Sequence, residues 1–322
     1  MGMTRRECLG LLAGAASLPL GIAACSPGDD LAIGLHPWPG YEPLYLAEDF
    51  GWLPEGVVLR SGDNAGESLA GLRRGELDGA ALTLDEVLKA RAEGLPLTVV
   101  LVFNDSVGAD MVLARPEIAS LEGLAGARIA VERSAVGSLV LFKLLEAAGL
   151  AVNQLEVIDL PPDRQLAAWR RGEIDAAVTY EPAASQLMRE GAHSLYDSSR
   201  FPDMILDVLA MRRDRLRWRS ARLEALVAAH FRSLAHLRIS REDAMRRIAA
   251  WRGLSFDEVL ASYAGMELPD IVGNRRYFGA EGRLQTAASA LNEVMVASGL
   301  LSRPDSLEGL MEERYLPRRS PA

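Results

Sequence analysis

Leu69-Ala-Gly-Leu-Arg-Arg-Gly-Glu-Leu-Asp-Gly-Ala80, running on to Glu93-Gly94, returns 97 positions later as Leu166-Ala-Ala-Trp-Arg-Arg-Gly-Glu-Ile-Asp-Ala-Ala177, running on to Glu190-Gly191. Ten positions agree without a gap. The same offset relates Asp110-Met-Val-Leu-Ala-Arg115 to Asp207-Val-Leu-Ala-Met-Arg212. A period this long exceeds the ~20–50 residues of solenoid units. It predicts two similar α/β lobes that face each other and hold something between them.

Outward from the first copy, residues 31–35 read as a strand, followed by the loop His36-Pro-Trp-Pro-Gly-Tyr41, a helix 42–48 and a strand 57–60. The repeat adds a helix 67–74, a strand 78–82 and a helix 84–93, and an apolar strand 95–103 follows. Around the second copy the order recurs: strand 128–131, loop 132–137, helix 138–148, strand 155–160, helix 163–171, strand 175–179 and helix 182–190. Such alternation predicts two mostly parallel sheets flanked by helices. The connections between lobes are expected at 111–115 and 208–212. Lobe 1 would then be 31–112 with 210–322, and lobe 2 would be 113–209. From Leu216 onward apolar residues recur at helical spacing, which predicts helices packed back onto lobe 1.

The chain has 322 residues, long enough for two cores, and a net charge of −9. Phosphate neutralisation needs clustered Lys and Arg, so nucleic acid is not an expected partner. Arg5-Arg6, an uncharged Ala/Leu/Gly-rich run to Ala24, and Cys25 read as a lipoprotein signal. Residues 1–24 would be the signal peptide, Cys25 the lipidated residue and 25–30 a tether. A membrane span is disfavoured, because the run falls short of the ~20 apolar residues needed and contains Pro19. The expected place is outside the cytoplasm, periplasmic or cell-surface, anchored through Cys25. Thr4-Arg5-Arg6 also fits twin-arginine export. The only cysteines are Cys8 and Cys25, so the folded part has no thiol for a disulfide or metal site.

In open parallel sheets ligands bind beyond the carboxyl ends of the strands. That rule selects Trp38 and Tyr41 after the first strand, Thr83 and Tyr180-Glu181 after the repeated strands, and Ser134, Val136 and Gly137 before the helix at 138. Asp105 and Asp110 precede the first crossing, and Asp207 precedes the second. Each has a structural alternative: Trp38 as a packed loop ring, Glu181 as a helix cap, and Asp110 and Asp207 as acceptors for strand-start amides. Asp78 and Asp175 are assigned to strand-start hydrogen bonds, and His230 and His236 to packing. No nucleophile elbow, phosphate-cradling loop or zinc pattern is present, so neither a cofactor nor a metal is expected. Rings, hydroxyls and carboxylates, with Arg133 the one evident cation, suit a small solute bearing an ammonium, amidine or amino-heterocycle. Amides at the helix start could take an acidic end if that solute is zwitterionic or sulfonated.

Trp38-Pro-Gly-Tyr-Glu-Pro-Leu-Tyr-Leu-Ala47, Gly75-Glu-Leu-Asp-Gly-Ala80, Leu121-Glu-Gly-Leu-Ala-Gly-Ala-Arg-Ile-Ala130 and Gly172-Glu-Ile-Asp-Ala-Ala-Val-Thr-Tyr-Glu-Pro182 resemble the nitrate/sulfonate/taurine-type (NMT1-like) substrate-binding proteins of ABC importers. The likeness runs from about Leu31 to Leu316. It implies an α/β, two-lobe periplasmic-binding-protein fold of type II that closes on a solute and presents it to a permease in the inner membrane. The expected protein is a monomer with no enzymatic activity. The absence of a basic cluster argues against a bare inorganic anion such as nitrate. Similar folds also serve a pyrimidine-precursor synthase and dehydratases, so an enzyme is the rival reading; a receptor for a membrane sensor is a third.

Overall fold

Each copy of the repeat folds as helix, turn and strand. In the first, Leu69 and Leu72 of the Ala65–Arg74 helix are buried while Arg73 and Arg74 face outward, and Gly75 (φ 74°) supplies the left-handed cap. In the second, Ala168 and Trp169 of the Pro162–Arg170 helix are buried, and Gly172 turns with φ 69°. The structure, a computed structural model, describes residues 30–133, 136–217, 219–279 and 282–318. The expected signal peptide, the lipidated Cys25 and Ser134 lie outside the described residues.

The strands in chain order are β1 (Leu31–Leu35), β2 (Val57–Ser61), β3 (Gly79–Thr83), β4 (Leu97–Ser106), β5 (Met111–Ala114), β6 (Arg128–Val131), β7 (Glu156–Asp159), β8 (Ala176–Thr179), β9 (His193–Asp197), β10 (Leu206–Arg212) and β11 (Met266–Glu267). They form a six-stranded sheet, β11-β4-β10-β3-β1-β2, and a five-stranded sheet, β7-β6-β8-β5-β9. Within the first, β2-β1-β3-β10-β4 matches β7-β6-β8-β5-β9 position for position. The odd strand of each set is antiparallel to both neighbours and arrives from the other lobe: β5 follows β4, and β10 follows β9. The remaining strands of each set share one direction, as the repeat predicted.

Two expectations are corrected here. The chain changes sheets within residues 107–110 and 198–205, not at 111–115 and 208–212, because both of those segments contain central strands with partners on two sides. Met111 and Val112 therefore belong with lobe 2, and Leu206 to Leu209 with lobe 1. Strand β9 also went unrecognised, since His-Ser-Leu-Tyr-Asp has no apolar run. The Ser220–Ile239 helix packs on the Glu42–Asp49 helix, and Arg283–Ala297 packs on Leu84–Ala92, so the C-terminal part covers lobe 1. One apolar cluster joins the first sheet to a face of the second, and a smaller one around Trp169 and Ile174 fills the far side of lobe 2.

Asp78 and Asp175 hold the strand starts together. Asp78 Oδ2 accepts the Ala32 N–H at 2.9 Å, its own N–H reaches the Ala32 carbonyl, and its carbonyl accepts from Arg212. Asp175 repeats the arrangement with Arg128 and Arg115. One carboxylate thus ties three strands at the end remote from the strand tips, and Arg215 and Arg219 sit against the buried Asp78. Asp78→Ala, which leaves a buried strand amide without its acceptor, is expected to cost about 1–3 kcal/mol in urea denaturation. Asp175→Ala should cost less, because its carboxylate is 25% exposed. Equal urea midpoints for wild type and Asp78→Ala would contradict this.

Candidate functional site

The carboxyl ends of the parallel strands in both sheets converge on one small, partly open pocket with a cavity of about 20 Å³. Lobe 1 contributes His36 and Trp38 from the loop after β1, Ala65 and Thr83 at helix starts, and Glu86 one turn later; Ile205 and Asp207 come from the return crossing. Lobe 2 contributes Asp110, Val136 and Tyr180. Thr83 and Tyr180 occupy equivalent positions of the repeat, as do Asp110 and Asp207. Register explains their proximity. Asp207 pairs with Thr83 across β10 and β3, and Met111 pairs with Thr179 across β5 and β8, which sets Asp110 beside Tyr180.

A hydrogen-bonded chain lies beneath these residues. Trp38 Nε1 donates to Asn104 Oδ1 (2.9 Å), Asn104 Nδ2 donates to Asp207 Oδ2 (2.8 Å), and the fully buried Tyr41 hydroxyl donates to Asp207 Oδ1 (2.5 Å). Glu86 accepts the Thr83 N–H at 2.9 Å, in the reciprocal position of a helix capping box. Trp38 meets Tyr180 edge to face across the lobes, with centroids 5.5 Å apart. At the rim, Arg189 of lobe 2 forms an ion pair with Glu258 of the C-terminal helices.

No Lys or Arg is among the residues lining the pocket. Burial is accordingly the largest influence on every titrating group there. It pushes Asp110 up to about 7 and Asp207 up to about 8, the latter reinforced by Asp110 and opposed by the Tyr41 and Asn104 bonds. Burial and then Asp85 hold Glu86 well above the usual carboxylate range. Burial, helped by Arg252, lowers His36 to about 4, so its ring is neutral. His36 Nδ1 and Thr83 Oγ1 are buried without a hydrogen-bond partner.

Of the residues selected from sequence, Trp38, Thr83, Asp110, Val136, Tyr180 and Asp207 line this pocket. Tyr41 supports it from below. Of the remaining four, Ser134 lies outside the described residues and three stand elsewhere. Asp105 faces Tyr277 and Arg283 of the C-terminal helices. Glu181 binds Ser185, capping its own helix, and borders a neighbouring gap beside Arg252. Gly137 is a packing residue: a Cβ there would come within 2.8 Å of the Glu132 carbonyl oxygen. Arg133, taken as the cleft's cation, lines an outer groove with Leu141 and Phe142 instead. His36, Ala65, Glu86 and Ile205 were not foreseen. The one usable signal was Glu86 in the Thr83-x-x-Glu86 capping pattern, which reads equally as plain structure.

Comparison with known proteins agrees with this architecture. Residues 25–253 match the family model described as the NMT1-like family. A taurine-binding periplasmic protein of Escherichia coli (strain K12) is 28% identical over 161 residues, 49% of this chain and 50% of that protein. The chain thus spans about half the length of that curated relative. The ligand-binding component of an ABC-type import system from Staphylococcus aureus superposes with a TM-score of 0.76 at 16% identity, covering 90% of this chain and 100% of the other. The alkanesulfonate-binding protein SsuA from Xanthomonas axonopodis pv. citri gives 0.74 at 19%, covering 88% and 98%. The desulfurization enzyme DSZB shares the fold (TM-score 0.61, 17% identity, 88% and 97% covered). These likenesses establish the two-lobe periplasmic-binding-protein fold.

The raised carboxyls make a prediction with a definite sign. Asp110 and Asp207 keep protons in the folded protein that an unfolded chain releases near pH ~4. Stability therefore falls as pH rises from about 4 through about 8. Carboxylates with lowered values, such as Asp175 and Asp270, act in the opposite sense below that window. The buried neutral His36 and His230 oppose the fall up to about pH 6.5 but are outnumbered by the raised carboxyls Asp105, Asp110, Glu132 and Asp207. Thermal midpoints of the solute-free protein should decline from pH 5 to pH 8, and Asp207→Asn should flatten the decline. A midpoint that rises over this range would refute the assignment.

Proposed function

This chain belongs to the NMT1-like family, and on that premise we propose that it is an extracytoplasmic solute-binding protein of an ABC importer. It takes a small polar organic solute, bearing an amine or an amino-heterocycle, between its lobes and presents it to the permease. The observation that carries this reading is that matched pairs from the two lobes, Thr83 with Tyr180 and Asp110 with Asp207, face one pocket. Solute contacts are assigned to Trp38, Thr83, Asp110, Val136, Tyr180 and Asp207, with His36 and Glu86 added and Tyr41 as their support.

The topology supports closure: among the described residues, two short connections, 107–110 and 198–205, cross between the sheets and would serve as a hinge. Lipidation at Cys25 would keep the monomeric receptor on the membrane beside its permease. Taurine and alkanesulfonates, for which the relatives are named, remain in the test panel. Against the enzyme reading stands the pocket itself: both cysteines precede β1, and no residue lining the pocket offers a nucleophile paired with a base.

Thermal unfolding against amines, amino-heterocycles, taurine and alkanesulfonates tests the reading. A solute at ~100 times its dissociation constant adds about 2.7 kcal/mol of stability. Trp38→Ala should weaken binding by about 1–2 kcal/mol through loss of the ring face, whereas Glu181→Gln should leave it unchanged. The solute must be recovered unaltered by mass spectrometry; turnover, or no shift with any panel member, defeats the proposal. In cells, Cys25→Ser should abolish lipid labelling and release the protein from the membrane fraction.

A further inference from the structure

Three carboxyl groups, Glu86, Asp110 and Asp207, line one small pocket whose lining includes no Lys or Arg. The groups facing them deepen the imbalance. Asp85 lies beside Asp110, Asp207 and Glu86, and Glu132 acts on Glu86 and Tyr180. Tyr41 and Tyr180 face them as neutral phenols. Of the nearby cations, Lys89 acts on Asp85, and Arg252, outside the lining, acts on the pocket's His36. Buried carboxylates this close cannot all be ionised without a counter-charge, so the set retains protons when the pocket is empty.

The pocket's unused polar atoms show what would replace those protons. His36 Nδ1, on a ring held neutral, is buried without a partner, and in the Nε2–H tautomer it is an acceptor awaiting a donor. Thr83 Oγ1 makes no hydrogen bond of good geometry, although it faces the carboxyls of Asp85 and Glu86. Both residues are more than nine-tenths buried. A sulfonate carries only acceptors, so it could serve His36 Nδ1 only in the opposite tautomer, and it would sit among carboxyls. A cation rich in N–H groups satisfies His36, Thr83 and the carboxylates together, with the rings of Trp38 and Tyr180 beside it.

We propose that the pocket captures an organic cation bearing no acidic group, in exchange for protons held by Glu86, Asp110 and Asp207. This rests on the solute-binding reading above and narrows its solute class. No covalent bond changes: the cation enters, one proton for each unit of its charge passes to bulk water, and the pocket's total charge is conserved. Affinity then rises with pH between about 6 and 8, up to about tenfold per pH unit for each proton released.

Two measurements test it. Carbon-13 carboxyl titration of the solute-free protein should place Asp110 and Asp207 above pH 6, with Asp110→Asn and Asp207→Asn giving the assignments. Calorimetry with 4-aminopyridine, agmatine and butylammonium, in two buffers of different ionisation enthalpy, should show proton release that falls in Asp110→Asn. Titration of both carboxyls near pH 4, or cation binding independent of pH, overturns the exchange while leaving the solute-binding reading intact. Binding of taurine or ethanesulfonate without any of the cations overturns the cation class. If neither set binds at any pH, the solute-binding reading fails and this inference fails with it.

Discussion

The structure depends on the way each lobe borrows its fourth-position strand from the crossing chain. β5 and β10 run antiparallel to the strands around them, so each enters its new sheet at the carboxyl ends of the parallel set. A strand entering there must place its first residues at the gap between lobes. Asp110 and Asp207 hold those places, each beside the residue that ends a repeated strand, Tyr180 or Thr83. The pocket's acidity and its pseudo-symmetry share this one topological cause. At the opposite end, Asp78 and Asp175 tie three strand starts apiece, so the strands cannot slip and the tips stay in register.

That geometry creates an electrostatic conflict. Asp207 receives two hydrogen bonds that favour its charge, from Tyr41 and Asn104, yet burial and Asp110 outweigh them. Such a group is oriented but not compensated. In an ordinary core this arrangement would be replaced by apolar residues at little cost or some gain. Its persistence around a cavity, rather than inside packed core, is the physical argument for a visiting charge.

Much of this was legible in the sequence, for a specific reason. The 97-residue offset marked Thr83, Tyr180, Asp110 and Asp207 because duplication preserves topology, and topology places strand ends. Elements with apolar runs, such as β4, were found; β9, with alternating and partly polar residues, was not. The crossings were misplaced because Met-Val-Leu-Ala and Val-Leu-Ala-Met look the same as connections or as central strands. Asp105 and Glu181 were chosen by the strand-end rule but are claimed by partners distant or local in sequence, Arg283 and Ser185, that no periodicity reveals. Glu86 escaped for the opposite reason. Its capping role is real, and nothing in a capping pattern signals that the same carboxyl borders a cavity.

The contacts that span the lobes bear on what holds the proposed closed state. The Arg189–Glu258 pair is solvent-accessible, and such pairs contribute about 0–1 kcal/mol. The Trp38–Tyr180 edge contact adds about 0.5–1.5 kcal/mol beyond its burial. Against them stands the cost of enclosing Glu86, Asp110 and Asp207, which grows as protons leave. Rim and ring contacts alone therefore leave open and closed forms near balance, and a bound solute can shift that balance only through what it contributes in the closed form. A cation that neutralises the carboxyls supplies that differential interaction, whereas an anion would add to the repulsion closure must overcome. Selectivity and closure are then governed by the same three acidic groups.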